Sequence, residues 1–488
     1  MSWPRDDLGM ARGFRVVDRD MPMLLPPDLR AWLPADHLAW LVVEVIEACD
    51  LSAVTSSFRL GGRGRQAYDP RMLAAVLIYG YCSGIRSSRA IERACLSDVA
   101  FMVVTAQQRP DHSTLSRFRA THAEALAGLF GQVLTVCAQA GMGKVGVVAI
   151  DGTKIAANAS AKRSLSAKQL RQMAAEIVGE ASELDQAEDA VFGADRSGEE
   201  LPETLRPGDD RASRVRQALQ LAEQGEQCRI DQDVDVAERG LEKATKSHLA
   251  TAERLANRST TGSGMGRPRK ATEDLAEMQQ AQARMDAAEA KLVEAHAGHG
   301  YYASRNAVRR NWTDPDSRIM ATSNKGFIQG FNAQAAVSDD HLIVAFDITS
   351  DAADRAWFTP MMRLAVTNVA LFLLGAKIGL ILADAGYCSK QALSGEGPDR
   401  LIATGHHPAK PGKNKHIQAM ARRLAKGSPD RVRYQRRAVT VEPVFGHLKD
   451  RVGLRRFSRR GLDAARHEFA LAATAHNLRR LAAHRKNQ

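Results

Sequence analysis

Two periods of hydrophobic and polar positions alternate along the chain. Up to about residue 140, apolar side chains recur three and four positions apart, the spacing that keeps them on one side of a helix. Leu38, Leu41, Val42, Val45, Ile46 and Cys49 follow it after Asp36, an N-cap candidate. Asp69-Pro70 marks a second start, because Asp can cap while Pro has no amide hydrogen to leave unpaired; Met72 to Tyr81 is then a mostly buried helix. Ser87-Ser88-Arg89 opens a shorter helix, and Asp111-His112-Ser113 opens one that carries Arg117 and Arg119. Short helices with a basic last member resemble a helix-turn-helix, which puts Arg117 and Arg119 on DNA. A helical bundle with solvated arginines accounts for the same pattern.

At Val145 the period changes. VGVVAID is a continuous apolar run, too short for a core helix and rich in β-branched residues, and predicts a buried strand ending at Asp151. GLILADAG predicts another, ending in Asp384 and followed by Gly386. Between them FIQGFNAQAAV and HLIVAFDI, joined by Ser338-Asp339-Asp340, predict an antiparallel hairpin. Leu364 to Leu374 supplies a helix, and Leu401-Ile402-Ala403-Thr404 a short last strand. This is an α/β order with a mixed five-stranded sheet flanked by helices. A helical, coiled-coil-like insertion interrupts it, in which Met278, Ala281, Met285, Ala288, Leu292 and Ala295 keep a three-four spacing. Arg211 to Gln224 and Asp231 to Arg258 predict further charged helices there. The boundaries are 1–140 for an all-α N-terminal domain, 141–160 and 307–450 for two parts of the α/β core, 161–306 for the insertion and 451–488 for a basic C-terminal helical segment.

Composition narrows the function. At roughly 150 residues per domain the length suggests about three domains. The cysteines, Cys49, Cys82, Cys95, Cys137, Cys228 and Cys388, form no Cys-x-x-Cys pair and no cluster with histidines, so neither a zinc site nor a disulfide framework is expected. MSWPRDDLGM lacks a signal-peptide pattern, and the apolar stretch Leu364 to Ala376 stops at Lys377, so a soluble cytoplasmic protein without membrane contact is expected. The formal charge of +12 suggests a polyanionic partner. Residues 401–488 hold 21 basic and 5 acidic residues, net +16, whereas 161–300 hold 20 and 26, net −6. The positive charge is therefore concentrated around Glu442.

An aspartate at the end of a buried strand is costly to keep ionised without a cation or hydrogen-bond donor. The chain does this twice, at Asp151 and Asp384. If their strands are neighbours, the two carboxylates can converge on one divalent cation, and oxygen-only ligation suits Mg²⁺ or Mn²⁺. Glu442 is the only acid between Asp430 and Asp450 and is the candidate third ligand; the alternative is a favourable charge at the N-terminus of the helix in VFGHLKDRVG. If the helix runs through Glu442, Lys449 lies two turns on along the same face.

AIDGTKI, LADAGYCS and YQRRAVTVEPVFGHLKDRVG resemble the three acidic motifs of bacterial insertion-sequence transposases of the DDE type, in the branch with a Tyr-Arg-Glu-Lys signature. YDPRMLAAVLIYGYCSGIRSSRAIE and PDHSTLSRFR resemble their N-terminal helical domain, TDPDSRIM with GFIQGFNAQAAV their central segment, and AHNLRRL their C-terminal end. The resemblance implies an RNase H-like core and a transposase that binds terminal inverted repeats. It implies two metal ions, Mg²⁺ or Mn²⁺ as a substitute, held by Asp151, Asp384 and Glu442, the catalytic acids. Tyr434, Arg437 and Lys449 match the remaining signature positions, which contact DNA. Between Arg437 and Glu442 stand four residues where the pattern has three, and Arg436 is the alternative to Arg437. Double-stranded DNA, as inverted repeats and target, is the implied partner, and a homodimer the implied assembly.

Arg451, Arg455, Arg456, Arg459 and Arg460 form a run suited to bidentate phosphate contacts beside this motif. Gly266-Arg267-Pro268-Arg269-Lys270 resembles an AT-hook core, and a linker has the same composition. Asn332, Gln334 and Thr313-Asp314-Pro315-Asp316 lie in the resembling segments and also suit structural roles. An RNase H-like nuclease without strand transfer and a catalytically silent DNA-binding protein are the competing functions.

Overall fold

The computed structural model describes residues 28–58, 67–192, 209–260, 276–304, 308–322, 326–405 and 414–487. Among the described residues seven α-helices come before the first strand: α1 (Leu38–Ala48), α2 (Ser52–Thr55), α3 (Pro70–Cys82), α4 (Ser88–Ser97), α5 (Val99–Val104), α6 (His112–Thr121) and α7 (Ala123–Gln139). Asp69 caps α3 by accepting from Arg71 N, with Pro70 at the first position, and Asp111 caps α6 through Thr114 N. At α1 the side chain that caps is His37, whereas Asp36 pairs with Lys486.

The strands are β1 (Val147–Ala156), β2 (Ser164–Ser166), β3 (Arg309–Asn311), β4 (Arg318–Ala321), β5 (Phe327–Ser338), β6 (Ile343–Thr349), β7 (Leu380–Ala383) and β8 (Asp399–Ile402). Six of them form one mixed sheet, ordered β4-β5-β1-β7-β8 with β6 also on β5. β4 pairs with one end of β5 and β6 with the other along the same free edge, so the six strands fill five positions. This is the α/β core that the pattern of apolar runs predicts, with β5 and β6 as its hairpin. One expectation fails: β1 does not stop at Asp151. The long β5 continues alongside it, pairing Asp151 with Ala335 and Ala156 with Gly330, and satisfies the backbone of the polar half of β1.

The insertion holds α8 (Ala167–Phe192), α9 (Asp209–Thr260) and α10 (Ala276–His296). Where two charged helices are expected over 211–258, one 52-residue helix runs. Gly225 does not break it, because the bare backbone there admits Val308 and Arg310; a Cβ would lie 2.9 Å from each side chain. The entry and exit of the insertion are pinched together by the antiparallel β2–β3 ribbon. A small apolar cluster of its own, Ala167, Leu170, Val215, Ala218 and Ala222 with Trp312 against it, joins α8 to α9. The AT-hook-like stretch 266–270 lies outside the described residues.

Helix α11 (Phe358–Phe372) packs on β5 and β6; α12 (Lys390–Ser394) and α13 (Lys415–Arg423) flank β8. Helix α14 (Pro429–Asp450) crosses β1, β5 and β7, and α15 (Leu462–Lys486) bridges β6 to α3 and α7. A single apolar core thus runs from the N-terminal helices through the sheet. Within it Phe346 of β6 meets Phe130 of α7 on one side and Phe469 of α15 on the other. No helix among the described residues is long and apolar enough to cross a membrane.

Candidate active site

Strand register sets the centre. β1 and β7 run parallel, and their last paired residues are Ile150 and Ala383. The next residues along the two strands are Asp151 and Asp384, so both carboxylates leave adjacent strands at the same step. Asp384 lies where β7 ends and caps the following turn, its Oδ1 accepting from Gly386 N at 2.9 Å. Asp151 is mostly buried, and burial, reinforced by nearby Asp384 against the opposing pull of Arg437, raises its carboxyl above the usual range.

Helix α14 supplies the other wall. Ser428 caps it and Pro429 occupies its first turn, so the helix starts well before Glu442 and runs through Pro443. Glu442 is therefore not at a helix N-terminus; it stands mid-helix with its side chain 61% exposed. At roughly 100° per residue, Tyr434, Arg437, Glu442 and Lys449 fall within about 140° of arc, with Arg436 on the far side. Arg437 Nη1 donates to Asp151 Oδ2 at 2.8 Å, and its Nη2 lies 3.5 Å from Glu442 Oε1. Arg436 instead pairs with Asp339 at 2.5 Å, outside the centre. The extra residue before Glu442 therefore does not displace Arg437 from Asp151. Tyr434 is half-buried beside Arg437, and burial pushes its phenol up. Lys449 Nζ donates to Thr153 Oγ1 at 2.5 Å, and burial pulls its ammonium down.

Among the described residues no three His, Cys, Asp or Glu side chains stand close enough together to hold a metal ion. The residues nonetheless fit one. The donors are all carboxylate oxygens, the set a hard divalent cation takes. A cation already stands between Asp151 and Glu442, namely the guanidinium of Arg437.

The other basic candidates separate into two groups. Arg451 and Arg117 are exposed. Arg455 pairs with Asp450, and Arg456 donates to Ala157 O at 2.9 Å while lining a cavity of about 660 Å³ with Arg163, Arg460 and Trp312. Arg119 faces inward, donating to Arg86 O at 3.0 Å and Ser88 Oγ at 3.4 Å, so it braces the start of α4.

Four residues beside the centre carry no assigned role from the sequence: Asn332, Gln334, Lys154 and Asp354. Asn332 and Gln334 of β5 each donate to Asp354 Oδ1 at 2.7 Å, and Lys154 of β1 lies 3.5 Å from the same oxygen. Asp354 follows β6 in the polar stretch SDAAD, where the only sequence signal is an acid soon after a strand end. Asp314 and Asp316 serve elsewhere, accepting from Gly461 N and Leu462 N at the start of α15.

Two segments match known families. Residues 27–121 match a family described as a transposase domain, and residues 311–478 match the transposase DDE domain. No curated protein and no solved structure matches the chain.

Proposed function

Because the chain belongs to the DDE transposases of insertion sequences, we propose that it binds the terminal inverted repeats of such an element and catalyses metal-dependent strand cleavage and strand transfer. The observation that carries this reading is the shared register step of Asp151 and Asp384, faced across Arg437 by Glu442. These three acids would hold the divalent cations, Mg²⁺ or Mn²⁺, two in number. Bound there, such ions supply activation of a water or 3′-hydroxyl and stabilise the leaving oxygen of a phosphodiester.

The chain's own groups do the rest. Arg437 sets its guanidinium against the burial that raises the Asp151 carboxyl, and a divalent cation held by Asp151 would supply the same charge balance. Glu442, exposed in the middle of α14 and facing Arg437, would supply the third carboxylate from the substrate side. Tyr434 and Lys449 mark two ends of one helical face and orient the DNA strand past Asp151. Arg451 and Arg456 extend that track with backbone contacts, which add affinity without reading sequence. Arg117, exposed on α6, would touch DNA from the N-terminal helices. Paired ends require at least two copies in the DNA complex.

The test is incubation of the purified chain with Mg²⁺ and DNA carrying the element's own ends. Nicked ends and strand-transfer products are expected from the wild type. Asp151→Asn is expected to abolish both while leaving DNA binding within about twofold. Cleavage without transfer products indicates a nuclease, and binding without either indicates a silent DNA-binding protein.

A further inference from the structure

One carboxylate in the centre has no place in the three-acid set. Asp354 gathers its protein donors on a single oxygen. Asn332 Nδ2 and Gln334 Nε2 both donate to Oδ1 at 2.7 Å, and Lys154 Nζ stands 3.5 Å away. Gln334 is fixed in turn, because its Oε1 accepts from the buried Tyr387 hydroxyl. The other oxygen, Oδ2, accepts from no donor among the described residues. It lies 3.5 Å from the point where a side chain on Gly386 would begin, and Asp384 Oδ1 lies 3.1 Å from that same point. Two carboxylate oxygens therefore flank Gly386, and only one of them belongs to the motif.

A second, independent observation points to a missing ligand. Asn332 is fully buried, and its Oδ1 has no hydrogen-bond partner. The amide cannot be turned to relieve this, since its nitrogen faces two acceptors, Asp354 Oδ1 and Asp351 O at 3.2 Å. An orphaned buried acceptor is costly unless a donor arrives from outside the protein. The space is also kept clear. At Gly152 a Cβ would fall 2.5 Å from Gln334 Nε2 and 2.7 Å from Asp354 Oδ1, so any other residue displaces this arrangement.

We propose that Asp354 is a fourth carboxylate of the metal centre, meeting the cation at Asp384 through Oδ2 while Asn332, Gln334 and Lys154 hold Oδ1. The hydration shell of that cation supplies the donor that Asn332 Oδ1 lacks. A hydrated divalent cation is the ligand class, and the inference rests on the metal-dependent reading above.

Asp354→Asn tests it, because the carboxamide keeps an acceptor at the Oδ1 position and removes the oxygen at Oδ2. Mn²⁺ binding to the full chain without DNA, followed by electron paramagnetic resonance, is expected to weaken at least about tenfold, with a melting temperature close to wild type. Wild-type Mn²⁺ affinity and stoichiometry in Asp354→Asn would overturn the proposal. If that variant does not fold, Asp354→Cys carries the test. Cd²⁺ added to it is expected to give thiolate-to-metal absorption beyond that of the wild-type cysteines, and its absence counts against the ligand role. Asp151→Asn runs alongside. If it too keeps full Mn²⁺ binding, the metal-dependent reading itself fails; if it loses Mn²⁺ while Asp354→Asn does not, only the role of Asp354 fails.

Discussion

Helices α14 and α15 follow one another, are both rich in arginine, and use their charges in opposite ways. On α14 Arg437 faces Asp151, Lys449 reaches Thr153, and Glu442 projects into solvent. On α15 the same residue types are structural ties. Arg466 pairs with Asp347, Arg479 donates to Cys82 O, Arg480 donates to Asp340 O, and Arg485 pairs with Glu44. The glutamates show the contrast best. Glu442 is 61% exposed, whereas the side chain of Glu468 is 1% exposed and accepts from Arg86 and from the amides of Ser458 and Arg459. Net charge along a sequence therefore overstates the field available to DNA, because a charged helix can spend its charge on its own fold.

Exchanging the two glutamates for uncharged residues should separate the roles completely. Glu442→Gln is expected to lower DNA cleavage by about a thousandfold or more, equivalent to over ~4 kcal/mol of activation free energy, with no change in the urea midpoint. Cleavage kinetics and equilibrium unfolding of one preparation check both halves. Glu468→Ala should do the reverse, since it takes the carboxylate partner from Arg86, whose side chain is only 17% exposed. A loss of about 3–5 kcal/mol of folding stability is expected, and an unshifted urea midpoint would remove Glu468 from the account.

Asp314 offers a pH-dependent version of the same contrast. It accepts from the amide of Gly461, the N-cap of α15, its Oδ2 is buried without a partner, and burial together with the nearby Asp316 raises its carboxyl to about 6. A raised folded pKa means that the native state holds the proton more tightly than the unfolded chain does. The stabilisation is complete below about 4 and is lost as pH rises through about 6. Unfolding free energies of wild type and Asp314→Asn at pH 4 and pH 7 should differ in slope by on the order of 2 kcal/mol. Equal slopes would assign the pH dependence to other groups. The smallest effect is expected at the α15 surface. Arg485→Ala breaks an exposed pair with Glu44 and should cost under ~1 kcal/mol, detectable only as a small shift in melting temperature.

The sequence carries much of this arrangement where burial is two-sided. VGVVAID and GLILADAG are apolar because β1 and β7 are central strands, and the two aspartates stand out at their ends for that reason. The continuation of β1 was hidden, because DGTKIA is half-exposed and mixed in polarity, and only its pairing with β5 makes it a strand. The start of α14 is written in Ser428-Pro429-Asp430, a capping residue followed by a first-turn proline, and Pro443 inside the helix mimics a second start beside Glu442. Asp354 had no periodic context at all. Its importance comes from Asn332, Gln334 and Lys154, residues over 20 or more positions distant that strand register brings to one oxygen. The division of arginines between DNA and fold was likewise illegible, since pairing partners such as Glu44 and Asp347 lie far away along the chain.

The position of α15 has a further consequence for synthesis. A ribosome has delivered Asp151, Asp384 and Glu442 before it delivers Leu462–Lys486, yet that helix packs against β6, α3 and α7 alike. Until it arrives, Phe346 lacks Phe469, and the apolar faces of β6, α3 and α7 that pack on α15 are uncovered. A chain halted after α14 thus has every acid of the centre but not the folded frame that aligns them. Order of synthesis would keep a DNA-cutting site from maturing on an unfinished chain.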